Sequence, residues 1–178
     1  MIPFDVKYHR AETVNEAVAV WNDGAAAGED VLYYGGGTEI VTLARDNKLR
    51  ADRFIDYKRI PETRRVPGPE RAADDPSGRI VWGSAVRLNE VVDGRSFGLL
   101  ARCCVGIADR TVRNSITLGG NVCGMLPYRE AVLPFLLLDG EVKTAAPGTA
   151  GLRTVGPGTA GPGTAGPGTA GPGPAVPG

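Results

Sequence analysis

Two glycine-rich stretches carry the residues best suited to chemistry, and the first is "YYGGGTEI" at residues 33–40. Its three consecutive glycines, residues 35–37, let main-chain N–H groups approach a bulky anion, and the helix start that follows adds further N–H donors. Thr38 can cap that helix or donate its hydroxyl to a phosphate, whereas Glu39 disfavours a highly charged triphosphate. The stretch predicts a diphosphate site, with a simple glycine turn and a capping threonine as the alternative.

The second stretch is "TLGGN" at residues 117–121, again bare backbone between polar side chains. Two such loops, far apart in sequence, can close on one elongated ligand. No GxxxxGK[ST] motif is present, and G-x-G-x-x-G fails because Ile40 stands at the third glycine position. Asp56 follows about 20 residues after the first stretch, where a ribose-binding acid of a Rossmann fold is expected, so that fold stays open.

The elements that must position these stretches alternate between helix and strand. A Thr13-x-x-Glu16 capping box opens an amphipathic helix, "DVLYY" has strand composition, and a second helix follows the glycines. "RFIDYKRI" predicts a further strand that ends at Pro61. Residues 1–60 are therefore expected to form a first small α/β subdomain.

Residues 61–155 are expected to form a second, incomplete subdomain, which begins with a polar, turn-rich linker. "RIVWGSAV" predicts a strand, "RLNEVVD" a short helix, and "REAVLPFLLLDG" a mostly buried helix. Leu100, Cys103, Cys104, Ile107 and Ala108 form an apolar helical stripe, and "EVKTA" and "LRTV" predict two strands. The adjacent cysteines thus have a simple interpretation as helix core.

The last residues, 156–178, repeat the unit GPGTA with no charge and almost nothing to bury. Such a segment cannot offset the entropy of ordering it, and glycine does not recur at every third position as collagen requires. The sequence therefore predicts a disordered Gly/Pro-rich tail without a site.

Composition excludes several function classes. Twenty basic and twenty acidic residues give a formal net charge of zero, which argues against nucleic acid as a partner. No signal peptide and no apolar run of about 20 residues is present, so we expect a cytoplasmic protein without a membrane span. Three cysteines without a CxxC pair and a single histidine argue against a disulfide framework or a metal site on this chain, and predict buried, reduced thiols.

Taken together, "YYGGGTEIVTLARDNKLRADRFIDYKRIPE" and "IADRTVRNSITLGGNVCG" resemble the FAD-binding medium subunit of the molybdenum hydroxylases, which include xanthine dehydrogenase and carbon monoxide dehydrogenase. The resemblance runs from about Ile2 to Val155. It implies an α+β protein with two small α/β subdomains of the PCMH-type FAD-binding fold. The cofactor-binding residues that it implies are Tyr33, Tyr34, Gly35, Gly36, Gly37, Thr38, Glu39, Ile40, Ile107, Thr117, Gly119, Gly120, Asn121 and Glu130.

The resemblance also implies an oxidoreductase subunit for electron transfer. A large molybdopterin subunit would oxidise the substrate, [2Fe–2S] clusters on a small subunit would carry the electrons, and FAD on this chain would pass them to NAD or another acceptor. Two departures stand out: Glu130 replaces the usual aspartate, and the repeat stands where the family continues with further strands and a C-terminal domain. The alternatives are a Rossmann-type nicotinamide-binding protein and a C-terminally truncated, non-catalytic remnant that no longer binds FAD.

Overall fold

The structure is a computed structural model that describes residues 2–68, 79–94, 96–125, 127 and 129–145, and the backbone of 152–155. The predicted tail at 156–178 and most of the predicted linker lie outside the described residues. The described elements, in chain order, are β1 (Lys7–Arg10), α1 (Val14–Ala26), β2 (Val31–Tyr34), α2 (Thr38–Arg45), β3 (Arg53–Asp56), a 3₁₀ turn (Pro61–Arg64), α3 (Leu88–Gly94), α4 (Gly98–Val105), α5 (Arg110–Arg113), α6 (Leu118–Cys123), α7 (Val132–Leu137), β4 (Val142–Ala145) and β5 (Leu152–Val155).

The first part of the chain forms a three-stranded parallel sheet in the order β1-β3-β2. Parallel neighbours need crossover connections, and β2–α2–β3 is such a unit. The capping box is confirmed, because Thr13 accepts a hydrogen bond of 3.1 Å from the amide of Glu16 at the start of α1. This arrangement places the first glycine stretch at the carboxyl end of β2, directly before α2.

A small apolar core holds α1 against the sheet. Ala17 of α1 and Ile55 of β3 are buried in it, and Trp21 and Tyr57 pack against the cluster. Strand β3 ends at Asp56, earlier than the prediction of a strand up to Pro61. Tyr57 therefore lies just beyond the sheet, on the side of the molecule where the glycine stretch emerges.

The second part of the chain is mainly helical around its own core. Val86, Leu88, Leu100 and Leu118 are buried there together with Ile107. The predicted β4 and β5 are confirmed as an antiparallel pair, and the predicted helix α3 is also confirmed. This core supports α6, which carries the second glycine stretch.

The prediction of a strand at residues 79–86 is wrong. Its main-chain groups bond to other loops: the amide of Gly83 donates to the carbonyl of Arg65 at 2.7 Å, and the amide of Ala85 donates to Thr63 at 2.7 Å. The isolated bridge between Arg87 and Thr117 is the nearest approach to strand pairing in this stretch. An apolar alternation forms a strand only where a partner strand is present, and here the partners are turns.

The predicted helical stripe of the cysteine region is only partly confirmed. Helix α4 ends at Val105, so Ile107 lies beyond it, and Ala108 has a left-handed backbone with φ +49°. The buried side chain of Arg113 donates three hydrogen bonds of 2.6–3.0 Å to the carbonyls of Val105, Ile107 and Ala108. A cation at carbonyl groups that a helix end leaves unpaired is favourable, which explains why the chain turns here.

Two further expectations about burial need correction. Helix α7 is predicted to be mostly buried, yet Leu136 and Leu137 are 64% and 71% exposed, because this six-residue helix turns one side to the core, through Pro134 and Phe135. Of the three cysteines only Cys104 is buried, and burial raises its pKa to about 12; Cys103 is half-buried and Cys123 is exposed. The prediction of buried thiols is therefore wrong for Cys123.

None of the described helices is both long enough and apolar enough to cross a membrane. Nor does the described part of the chain bring together three or more His, Cys, Asp or Glu side chains that could hold a metal ion.

Candidate functional site

Gly37 marks the start of the candidate site because it turns the chain from β2 into α2. It has φ +71°, a left-handed conformation that a side chain strains, and it is the N-cap of α2. A Cβ at this position would lie 2.1 Å from the hydroxyl oxygen of Tyr34. Glycine is thus required here by conformation as well as by space.

The start of α2 leaves a row of main-chain donors without partners. The first helical hydrogen bond runs from the amide of Val41 to the carbonyl of Gly37 at 2.8 Å, and the N-cap has no side chain to bond an earlier amide. Among the described residues, no hydrogen bond engages the amides of residues 36–40. Five successive amides at a helix N-terminus form an arrangement that favours an anion.

The second glycine stretch, by contrast, uses its amides internally. The amide of Leu118 donates to Val86 at 2.7 Å, and that of Gly119 donates to Ser84 at 2.8 Å. Thr117 caps α6, since its side chain accepts from the amide of Gly120 at 3.1 Å, and its carbonyl accepts from Asn121. This stretch can therefore contribute side chains, carbonyls or bare surface to a ligand, but not these amides.

The first stretch lies against the second stretch and the two residues that precede it. A Cβ on Gly36 would lie 1.9 Å from the carbonyl oxygen of Ser115 and 3.2 Å from the Cα of Ile116. A Cβ on Gly35 would lie 2.8 Å from the hydroxyl oxygen of Thr117. The bare backbone of these two glycines thus lets the loops approach one another.

Glu39 joins the same two regions through its side chain. Its Oε1 accepts a hydrogen bond of 2.7 Å from the amide of Met125, and a Cβ on Gly124 would lie 2.7 Å from its Oε2. An ionised acceptor makes a stronger hydrogen bond than a neutral one. The Glu39 carboxylate, which argues against a triphosphate ligand, therefore accepts a hydrogen bond from the main chain of the second part of the protein.

Tyr57 adds a second link between the sheet and the helical part. Its hydroxyl oxygen and that of Thr117 both border Gly35, where a Cβ would lie 2.6 Å and 2.8 Å from them. Burial raises the pKa of Tyr57 above its usual value, and the neighbouring side chains of Thr117 and Ser84 offset only part of that effect. The phenol is thus neutral at physiological pH and orients the residue that caps α6.

The two tyrosines before the glycines face opposite sides of the sheet. Tyr34 packs on the ring of Phe54 at 5.4 Å between centroids, and its hydroxyl lies against Gly37. Tyr33 is 44% exposed and meets Tyr57 edge to face at 6.4 Å. Tyr33 therefore offers an accessible aromatic surface beside the site, whereas the Tyr34 hydroxyl packs against the turn at Gly37.

Asp56, the candidate ribose-binding acid, is engaged inside the protein. It is 4% exposed, its Oδ1 accepts from the amide and the Nζ of Lys58 at 2.9 Å, and its Oδ2 accepts from the hydroxyl of Tyr8. Burial raises the pKa of Asp56, but the bonds from Lys58 and Tyr8 outweigh it and leave the pKa below its usual value. Both carboxylate oxygens of Asp56 are therefore bonded within the protein.

Three further residues implied by the resemblance lie in the second part of the chain. Ile107 is 6% exposed in the core of the helical part. Asn121 is buried, and its Oδ1 accepts from the amide of Ala131 at 3.2 Å. The Oε2 of Glu130 is buried and has no hydrogen-bond partner among the described residues. The roles of these residues toward a cofactor stay a prediction.

Sequence reasoning missed Tyr57, Lys58 and Ser84 as parts of this site. Lys58 donates to the carbonyl of Gly35 at 2.9 Å, and Ser84 accepts from the amide of Gly119. None of them belongs to a glycine motif, and only the pairing of β2 with β3 brings Lys58 beside Gly35. No local signal in the sequence distinguishes them.

Residues 4–156 match the family described as the FAD binding domain in molybdopterin dehydrogenase. The chain belongs to this family. The match covers both glycine stretches and both described cores, and so confirms the family that the paired motifs indicated. FAD is thus the cofactor of the family to which this domain belongs.

Curated members of the family show similarity over most of the chain. It is 26% identical over 144 residues to the xanthine dehydrogenase FAD-binding subunit of Escherichia coli O157:H7, covering 79% of this chain and 46% of that protein. It is 30% identical over 122 residues to the carbon monoxide dehydrogenase medium chain of Hydrogenophaga pseudoflava, covering 68% of this chain and 40% of that one. The chain thus spans less than half the length of these relatives.

Solved structures agree on the PCMH-type FAD-binding fold. A carbon monoxide dehydrogenase from Hydrogenophaga pseudoflava that lacks the Mo-pyranopterin moiety of its cofactor aligns with a TM-score of 0.73 and 26% identity, over 88% of this chain and 52% of that chain. Quinoline 2-oxidoreductase from Pseudomonas putida 86 aligns with a TM-score of 0.73 over 86% and 50%, and at 19% identity it bears on the fold alone.

The Rossmann alternative is thereby answered. Its local requirement is met, because β2 and β3 are parallel neighbours joined through α2. Among the described residues, however, the parallel sheet has three strands, and Asp56 is bonded to Tyr8 and Lys58. The family membership therefore favours the FAD-binding domain over a Rossmann-type nicotinamide-binding protein. The parallel βαβ unit is a feature that this domain shares with Rossmann folds.

Proposed function

We propose that this chain binds FAD and holds the diphosphate of the cofactor at the unpaired amides of residues 36–40. The observation that carries the proposal is that row of five amides at the start of α2. A diphosphate supplies acceptors for such donors, and the partial positive charge of a helix N-terminus favours it. The Oε2 atom of Glu130 also has no hydrogen-bond partner among the described residues, and we assign it a contact to the cofactor.

The second stretch then acts as a wall of the site. Thr117, Gly119, Gly120 and Asn121 are expected to border the dinucleotide, and their internally bonded amides keep this wall in one conformation. Tyr33 contributes exposed aromatic surface, and Ile107 supports the wall from the core. We further propose residues 1–60 and 61–155 as the two subdomains that contribute these two sides.

The larger assembly follows by analogy with the relatives. We propose an oxidoreductase subunit of a cytoplasmic molybdenum enzyme, with a small [2Fe–2S] subunit and a large molybdopterin subunit as partners. When bound, FAD supplies the redox chemistry and relays electrons from the [2Fe–2S] clusters to NAD or another acceptor. The residues of this chain bind and orient the cofactor, and none of them is assigned a proton transfer.

The experiment is a titration of the purified chain with FAD, followed by flavin absorption and fluorescence, with NAD as the competing ligand class. Gly37→Ala is the test variant because it strains a left-handed residue and displaces the hydroxyl of Tyr34. Gly28→Ala is the matched control, since Gly28 also has a positive φ, of 74°, but has no neighbour within 4 Å of its Cβ position.

We expect the wild type and Gly28→Ala to bind FAD and to shift its absorption bands, and Gly37→Ala to bind FAD at least tenfold more weakly. Equal affinities of the two glycine variants would place the diphosphate elsewhere. A wild-type chain that binds neither FAD nor NAD would instead support the non-catalytic remnant, and binding of NAD alone would contradict the proposal outright.

A further inference from the structure

Lys58 lies under the first glycine stretch and contacts it through a main-chain carbonyl. Its Nζ donates to the carbonyl oxygen of Gly35 at 2.9 Å, lies 2.9 Å from Oδ1 of Asp56, and stands 4.6 Å from the ring centroid of Tyr34. The side chain is 32% exposed, so its charge is only partly screened by water. Three separate contacts therefore hold this ammonium group in one place.

The contact to Gly35 determines the direction of the next amide. A trans peptide unit is planar, and its carbonyl oxygen and N–H point to opposite sides. Because Lys58 holds the carbonyl of Gly35, the N–H of Gly36 points away from Lys58, and it has no partner among the described residues. Gly36 carries the first of the five unpaired amides, so its direction affects the whole row.

A buried network in turn holds Lys58. Asp56 accepts from the Nζ and the amide of Lys58 and from the hydroxyl of Tyr8, and is itself 4% exposed at the end of β3. Glycine permits many main-chain conformations, so a stretch of three glycines needs such an external restraint to keep one of them. The rigid end of the sheet supplies that restraint through Lys58.

We propose that Lys58 is a positioning residue for the cofactor site: it orients the Gly35–Gly36 peptide so that the amide row faces the diphosphate, and adds positive charge beneath it. This inference rests on the proposed function. It assigns a role to a residue outside both glycine motifs, one that acts through the main chain of its neighbour.

The test compares Lys58→Met and Lys58→Arg with Lys48→Met in the full chain. Lys48 lies beyond the far end of α2 and is 68% exposed, so Lys48→Met changes the net charge as Lys58→Met does without touching the stretch, and the wild type is the charge-matched reference for the other variants. Lys58→Met leaves the buried carboxylate of Asp56 without its ion-pair partner, which can destabilise the fold. The double variant Asp56→Asn/Lys58→Met removes this unpaired charge. FAD affinity is measured at low and high salt, and folding is checked by thermal denaturation.

We expect Lys58→Met to bind FAD about tenfold more weakly than Lys48→Met, and the double variant about tenfold more weakly than the wild type, because the Gly36 amide is no longer held toward the diphosphate and one hydrogen bond to an anion is weakened. The FAD affinity of Lys58→Met should also depend less on salt than that of Lys48→Met, a change that a merely structural role would not produce, and Lys58→Arg should recover part of the affinity. A folded double variant that binds FAD within twofold of the wild type overturns the inference while leaving the proposed function standing. Absence of FAD binding by the wild type refutes both.

Discussion

The two glycine stretches look alike in sequence but differ in how their main-chain donors are used. At residues 36–40 no described partner accepts the amides, whereas at residues 118–121 every amide is bonded within the protein. The first amides of a helix have no partner within the helix, so this row is available to a ligand, whereas the bonded amides of the second stretch fix a scaffold. The glycine motif alone therefore does not reveal which loop has amides to offer and which loop supports it.

The small size of the glycines serves a similar purpose in both stretches. Gly36 packs against the carbonyl of Ser115, and Gly119 packs against Ser84, where a Cβ would lie 2.7 Å from the Cβ of the serine. In both cases the atom closest to the missing side chain is a protein atom and not a ligand atom. Bare backbone was expected to admit an anion, and the structure shows that at these positions it also admits another segment of the chain.

The largest expected effect comes from Gly36→Ala. The new methyl group would meet the carbonyl of Ser115, and since backbone cannot give way cheaply, the two stretches must separate at a cost of about 1–3 kcal/mol or more. Chemical denaturation and FAD titration should both register this loss. Gly98→Ala, whose Cβ position has no neighbour within 4 Å, is the control and should change the free energy of unfolding by less than about 0.5 kcal/mol. Equal stability of the two variants would contradict the close approach of the stretches.

Hydrogen exchange tests the comparison directly. In the absence of cofactor the amides of residues 36–40 should exchange rapidly and those of 118–121 slowly, because only the latter are bonded. FAD should slow exchange at the first set by at least about tenfold while changing the second set much less. Strong protection of both sets before FAD is added would mean that the first set is not free.

A smaller effect is expected at Glu39, which bridges the stretches through Met125. Glu39→Ala removes an acceptor from a main-chain donor that water can reach, and should cost about 0.5–1 kcal/mol in free energy of unfolding. Glu39→Gln keeps an oxygen acceptor and should retain part of that stability. If FAD affinity follows the same order, the bridge positions the site; if Glu39→Ala leaves both stability and affinity unchanged, the bridge has no energetic role.

The smallest expected effect concerns pH. The pKa of Tyr57 in the folded state lies above 10.0, its ordinary value, mainly because burial disfavours the phenolate. Its contribution to stability is therefore fully present below pH 10 and lost as pH rises through the folded pKa. Denaturation between pH 8 and 11 should show this decline, and Tyr57→Phe should flatten it. Tyr33→Phe, at a more exposed tyrosine, should flatten it less; an identical curve for Tyr57→Phe and wild type would refute the assignment.

Local sequence signals predicted the fold well where the local chemistry is decisive. Thr13 and Glu16 form the predicted capping box, and the run from Val31 to Tyr34 forms the predicted strand before the glycines. The strand expected at residues 79–86 failed because its amides bond to a 3₁₀ turn and to its flanking loop, which no local pattern encodes. The burial of α7 was overestimated because an apolar run does not reveal which of its sides meets a core.

The family, the two glycine stretches and the cofactor class follow from the amino-acid sequence, because they depend on residue types at fixed spacings. The packing of the chain establishes which amides stay free, that Glu39 reaches Met125, and that Lys58 and Tyr57 contact the first stretch from beyond β3. These features depend on packing because a hydrogen bond needs its two partners in contact. Residues as far apart as 39 and 125 come into contact only after the sheet and the helices have packed.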